Sequence, residues 1–93
     1  MIKNLIKKTN KPLREASQGQ YFWVCDGQVL KNLQELVQAL DKMTVQTFAY
    51  HVNKAKNDFA NWVADVLLEK KLGADLRKVK TAKQMAQKIR TAL

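Results

Sequence analysis

Side chains able to do nucleophilic or metal chemistry are scarce in this chain of 93 residues, which has one histidine, His51, and one cysteine, Cys25. A single His with no second His and no cysteine pair does not assemble a tetrahedral metal site. Nucleophilic catalysis would need Cys25 or a serine beside His51, and Cys25 falls in an apolar run that reads as a buried strand. The more economical role for His51 is structural: a hydrogen bond tying the second helix to the turn that caps the third. The carboxylates Asp65, Glu69 and Asp75, with Lys70 and Lys71 among them, read as a mixed solvated surface. The sequence assigns no catalytic residue, no metal ligand and no cofactor site, and the chain reads as a binding protein rather than an enzyme.

The cations carry the stronger signal. Residues 1–20 hold Lys3, Lys7, Lys8, Lys11 and Arg14 against the single anion Glu15. Residues 77–93 hold Arg77, Lys78, Lys80, Lys83, Lys88 and Arg90 against none, while the stretch between is close to neutral within an overall charge of +9. A near-neutral body with two basic ends suits a polyanionic partner. With no carboxylate among them, the C-terminal cations have no i,i+4 partner within their own helix. A bland reading stands beside this one, because Lys88 and Arg90 also complement the helix dipole. If five to eight cations engaged duplex DNA, the log–log salt slope would be about −5 to −7. Gln84 and Gln87 can hydrogen-bond phosphate or sugar, but the pattern contains no base-reading motif.

The elements that position these residues are those of one small domain. Residues 1–19 read as a basic arm and linker, and residues 20–93 as the domain. Ile2, Leu5 and Ile6 with Lys3, Lys7 and Lys8 suggest a short amphipathic helix, which also admits an anionic lipid surface as partner. Tyr21-Phe22-Trp23-Val24-Cys25, then Asp26-Gly27, then Gln28-Val29-Leu30 is the pattern of a hairpin with a two-residue type I′ turn. Both alternating faces of its first strand are apolar, so both are expected to be covered, one by helices and the other by a second subunit. Helices follow from Asn32 with Glu35, from Thr44, from Asn57 or Asp58, and from Thr81 with Gln84, each a capping signal before an apolar stripe. Gly73 interrupts a stripe of Leu72, Leu76 and Val79, which predicts a bent or two-piece helix there. The expected fold is α+β and mostly helical: one N-terminal β-hairpin followed by four or five short helices.

Tyr21, Phe22 and Trp23 on an open hairpin can stack bases, although aromatics beside such a turn more commonly fill a core, as Phe59 and Trp62 are expected to do. A lone cysteine gives no disulfide framework and fits a reducing cytoplasm. The start, with Lys among its apolar residues, has no signal-peptide core, and no apolar run is long enough to span a bilayer.

The aromatic strand into Asp26-Gly27, Leu33-Gln34-Glu35-Leu36 with Leu40, Phe48-Ala49-Tyr50-His51-Val52-Asn53, and Asn57-Asp58-Phe59-Ala60-Asn61-Trp62-Val63 together resemble a small prokaryotic domain family with no established activity. The resemblance covers about half of the chain and implies a shared fold module. It carries over no catalytic residue, and the basic ends lie outside it. The sequence thus leads to a cytoplasmic protein that binds nucleic acid, DNA in preference to RNA, through non-specific phosphate contacts, in the manner of a nucleoid-associated protein. The alternative is a protein-interaction module whose basic ends aid solubility, and a homodimer is compatible with either.

Overall fold

The computed structural model describes residues 15–93; the expected arm of residues 1–14 lies outside them. A 3-10 turn, Gln18–Gln20, leads into β1 (Phe22–Trp23) and β2 (Val29–Leu30). Five helices follow: α1 (Leu33–Lys42), α2 (Val45–His51), α3 (Asp58–Asp65), α4 (Lys70–Leu76) and α5 (Ala82–Ala92). The α+β architecture of one hairpin followed by short helices is the one the sequence describes.

The strands are antiparallel, with Phe22 opposite Leu30 and Trp23 opposite Val29. Their connection differs from the expected two-residue turn. The Val24 N–H donates to the Gln28 carbonyl at 2.8 Å, and the Gly27 N–H donates to the Val24 carbonyl at 2.9 Å. Three residues, Cys25 to Gly27, therefore close the loop. Gly27 supplies the positive φ of 101° that follows the turn and lets the strand resume. Asp26 fixes the loop by accepting the Gln28 N–H at 3.1 Å.

Phe22 and Val24 point into the core, whereas Trp23 is 70% exposed and Cys25 is exposed. Within the single chain the helices cover one face of the hairpin and the other stands open, the side expected to meet a second subunit; Cys25 sits in a turn rather than the expected buried strand. Side chains alternate across a strand, so once Phe22 enters the core Trp23 must face away from it.

Helix starts follow the side chains that accept first-turn N–H groups. Asn32 accepts from the Glu35 N–H at 2.9 Å, Thr44 from Thr47 at 3.1 Å, Asn57 from Ala60 at 2.9 Å and Thr81 from Gln84 at 3.0 Å. The glutamate and glutamine at the third positions reach back, Glu35 to the Lys31 N–H and Gln84 to the Lys80 N–H. Beneath the helices lie Leu36, Phe59, Val63, Leu67, Leu76, Met85 and Ile89, all fully buried. Each such side chain contributes about 1.5–3 kcal/mol relative to exposure. Phe22 meets Phe59 and Trp62 at ring distances of 4.8 and 5.6 Å, and the Trp62 indole N–H donates to the Gln20 carbonyl at 2.8 Å. Ala16 is buried as well, its N–H bonded to the Lys31 carbonyl at 2.8 Å, so the segment read as a linker contributes to the core.

Three positions of the apolar stripes expected to face inward are outside: Val45 (80% exposed) and Ala49 of the stripe Val45, Phe48, Ala49 and Val52, and Leu93 (56% exposed) at the end of the stripe of α5.

Gly73 does not break a helix. It lies inside α4, and the chain bends earlier, at Leu68, whose φ of 62° turns it out of α3. A Cβ on Gly73 would stand 2.7 Å from the Ala64 Cβ and 3.1 Å from the Ala60 carbonyl oxygen. Glycine is there because α3 and α4 cross too closely for a methyl group. Gly73→Ala gains about 1 kcal/mol of helix propensity but forces apart backbone that cannot yield cheaply, at about 1–3 kcal/mol. The expected net loss of about 1 kcal/mol lowers the melting temperature by roughly 4–8 °C. An unchanged or raised melting temperature would show that the two helices separate freely.

Candidate polyanion-binding face

The face is built around Asn57. Its side-chain oxygen caps α3, and its Nδ2 donates to the Leu76 carbonyl at the end of α4, at 3.2 Å. This one residue brings the α2–α3 loop against the α4–α5 link. The loop is itself closed, with Val52 bridged to Asn57 and the Asn53 N–H bonded to the Lys56 carbonyl at 2.9 Å.

A groove of about 460 Å³ lies between loop and link, with Lys54, Lys56, Arg77 and Lys80 on its walls. A second, of about 640 Å³, runs along the outer side of α5 between Lys78, Lys83, Gln84, Gln87 and Lys88. Val79 lines both, so the two adjoin at that residue.

Of the sequence-derived site residues, Arg77, Lys78, Lys80, Lys83 and Lys88 stand on this surface, all exposed. Lys3, Lys7, Lys8, Lys11 and Arg14 lie outside the described residues. Arg90 is occupied differently: its guanidinium pairs with Asp41 and fastens α5 to α1. Arg77 donates to the Asn61 side-chain oxygen at 2.7 Å, on the exposed side of α3. Lys54 and Lys56 join the face although sequence reasoning did not count them. Their signal in the sequence is the short basic link Lys54-Ala55-Lys56.

Among the described residues, Lys54, Lys78, Lys80, Lys83 and Lys88 form no ion pair. Lys56 does, at 2.9 Å from the Asp58 carboxylate. Like charges gathered without counter-charges repel one another in the free protein, and an arriving anion relieves that repulsion. Gln84 spends its carbonyl oxygen on the Lys80 N–H, leaving its amide NH₂ to the groove.

His51 holds the other side of the loop. It is buried, its Nε2 accepting the Cys25 N–H at 3.0 Å and its Nδ1 lying 3.0 Å from Asp58 Oδ2. The first bond requires Nε2 to be the acceptor, so the proton is on Nδ1 and is donated to Asp58. The expected tie between α2 and the start of α3 is present, and the ring adds a second one, to the hairpin. With the backbone N–H directed at Nε2, that nitrogen is not placed to take a proton from the Cys25 thiol. Burial pushes the Asp58 carboxyl up, but hydrogen bonds from His51 and Lys56 and the nearby Lys56 charge outweigh it, leaving Asp58 below the ordinary value of 3.8.

Among the described residues no cluster of three His, Cys, Asp or Glu side chains is placed to hold a metal ion, and no helix is long and apolar enough to cross a membrane. No protein-family model, curated protein or solved structure matches this chain.

Proposed function

We propose that this protein binds nucleic acid through non-specific phosphate contacts, using the surface around Val79. One observation carries the reading: lysines from the α2–α3 loop, the α4–α5 link and α5 converge there, five of them without a carboxylate partner among the described residues. Lysine ammonium groups displace condensed counterions from a nucleic-acid backbone, so affinity depends steeply on salt and weakly on sequence. Cytoplasmic placement and a nucleoid-associated role belong to the same proposal.

Fluorescence anisotropy with labelled random-sequence duplex and single strand, titrated at about 50 and 200 mM salt, tests it. Five phosphate contacts give a log–log slope of about −4.5 on duplex and about −3.5 on single strand, so duplex affinity falls about 500-fold across that range. Absence of binding to both forms at the lower salt would discard the proposal.

A second reading, a protein-interaction module, is favoured by Trp23, which stands 70% exposed on the open hairpin face. Tryptophan is enriched among residues that anchor protein interfaces. A protein ligand whose affinity ignores salt and is lost in Trp23→Ala would support that reading over the first.

A further inference from the structure

Tyr50 has no assigned role in the fold. It occupies the next-to-last position of α2, is 59% exposed and takes no part in the core cluster. Its ring nevertheless has a fixed setting. The His51 ring meets it edge-on at 4.9 Å, and the Lys56 ammonium lies 4.7 Å from its centre. Asn53 donates to the Ala49 and Tyr50 carbonyls at 3.0 and 3.3 Å, pinning the loop to the end of this helix. Asn53 and Lys56 both line the smaller groove, together with Lys54, Arg77 and Lys80. The exposed aromatic ring and the basic groove are thus parts of one braced unit.

Resting on the phosphate-binding reading above, we propose that the preferred ligand is single-stranded nucleic acid, with a base stacked on the part of the Tyr50 ring that Lys56 leaves open and the adjoining phosphates held by Lys54 and Lys80. A flat ring beside a phosphate-binding groove gains nothing from a duplex, whose base faces are covered by their neighbours. It gains substantially from a strand whose bases are free to stack. The groove, at about 460 Å³, lies within the range of small-ligand sites. The Asp58 carboxylate is engaged by Lys56 and His51. Every base has a π-face, so the contact is tolerant of sequence.

The test compares the wild-type protein with Tyr50→Leu and Tyr50→Phe at one salt concentration, using a labelled oligothymidylate and, as a base-free competitor, inorganic polyphosphate. Tyr50→Leu is expected to weaken oligothymidylate binding by about 5- to 150-fold, the range of one lost base–aromatic stack. Tyr50→Phe keeps the π-face and retains near wild-type affinity, and polyphosphate competes equally well for all three proteins. Wild-type oligothymidylate affinity in Tyr50→Leu, or tighter binding of duplex than of single strand, overturns the stacking proposal while leaving phosphate binding in place. Equal weakening toward oligothymidylate and polyphosphate overturns it too, by assigning Tyr50 to the support of Lys56. Failure of the wild-type protein to bind either probe overturns both readings at once.

Discussion

Replacing Lys54, Lys78, Lys80, Lys83 and Lys88 together by glutamine is expected to reduce the salt slope for duplex DNA by about 4.5 and to lower affinity at about 50 mM salt by a hundredfold or more. The melting temperature should hold or rise. All five side chains are exposed, none has an ion-pair partner among the described residues, and they stand together on one surface. Removing them relieves repulsion without deleting a contact. Lys80 gives its backbone N–H, not its ammonium group, to the Gln84 cap, so the start of α5 survives the change. Arg90→Gln serves as the control. That residue belongs to the same basic helix in sequence, yet in the structure it is bound to Asp41 on α1. Its loss should leave the slope nearly unchanged and cost up to about 1 kcal/mol of stability, as for an exposed ion pair. If Arg90→Gln alone matched the five-lysine variant in binding, the surface around Val79 would not be the contact.

The largest effect on stability should come from His51→Ala, at about 2–4 kcal/mol. In a domain whose whole stability is roughly 5–10 kcal/mol, that is enough to broaden or abolish the folded baseline. The imidazole fills space against Phe22 and Phe59, at ring distances of 5.1 Å each; its removal strips the Cys25 N–H of its partner and leaves Asp58 with Lys56 alone. The two bonds can be separated. His51→Asn places an amide near the Nδ1 position and should recover the Asp58 bond, whereas His51→Gln should recover the Cys25 bond. Each is expected to melt between wild type and His51→Ala. Acid unfolding reads the same cluster. Asp58 is held below 3.8 in the folded protein, so its contribution is complete above the unfolded value and drains as pH falls through the folded one. Asp58→Asn should flatten this acid limb, and a limb of unchanged steepness would assign acid sensitivity to other carboxylates.

Much of the fold was legible in the sequence because its signals are local. The four caps at Asn32, Thr44, Asn57 and Thr81 each act on an N–H three residues away. The hairpin's position followed from Asp26-Gly27, though not its loop length, since the same dipeptide serves a two-residue turn and the end of a three-residue one. What escaped was tertiary. Gly73 looks like a breaker until α3 passes within a methyl radius of it. Trp23 looks like core because nothing local says which face of a short strand meets the helices. The candidate site was half legible. The basic stretch 77–90 was visible as charge, but Lys54 and Lys56 reach it only through the Asn57 bond to Leu76, nineteen positions along the chain. Arg90 was misplaced for the matching reason, since its carboxylate is forty-nine positions away.

Arg77 and Arg90, the two arginines among the described residues, both have their guanidinium groups engaged within the protein, by Asn61 and Asp41. Arg90 is thereby drawn away from the face and Arg77 is steadied at one nitrogen, and most of the outward cations are lysines, which act as mobile point charges on flexible stems. A chain of phosphates held this way has no preferred register. On the proposed reading such a strand would advance by one nucleotide with the loss and regain of equivalent contacts, changing position in short steps without leaving the protein.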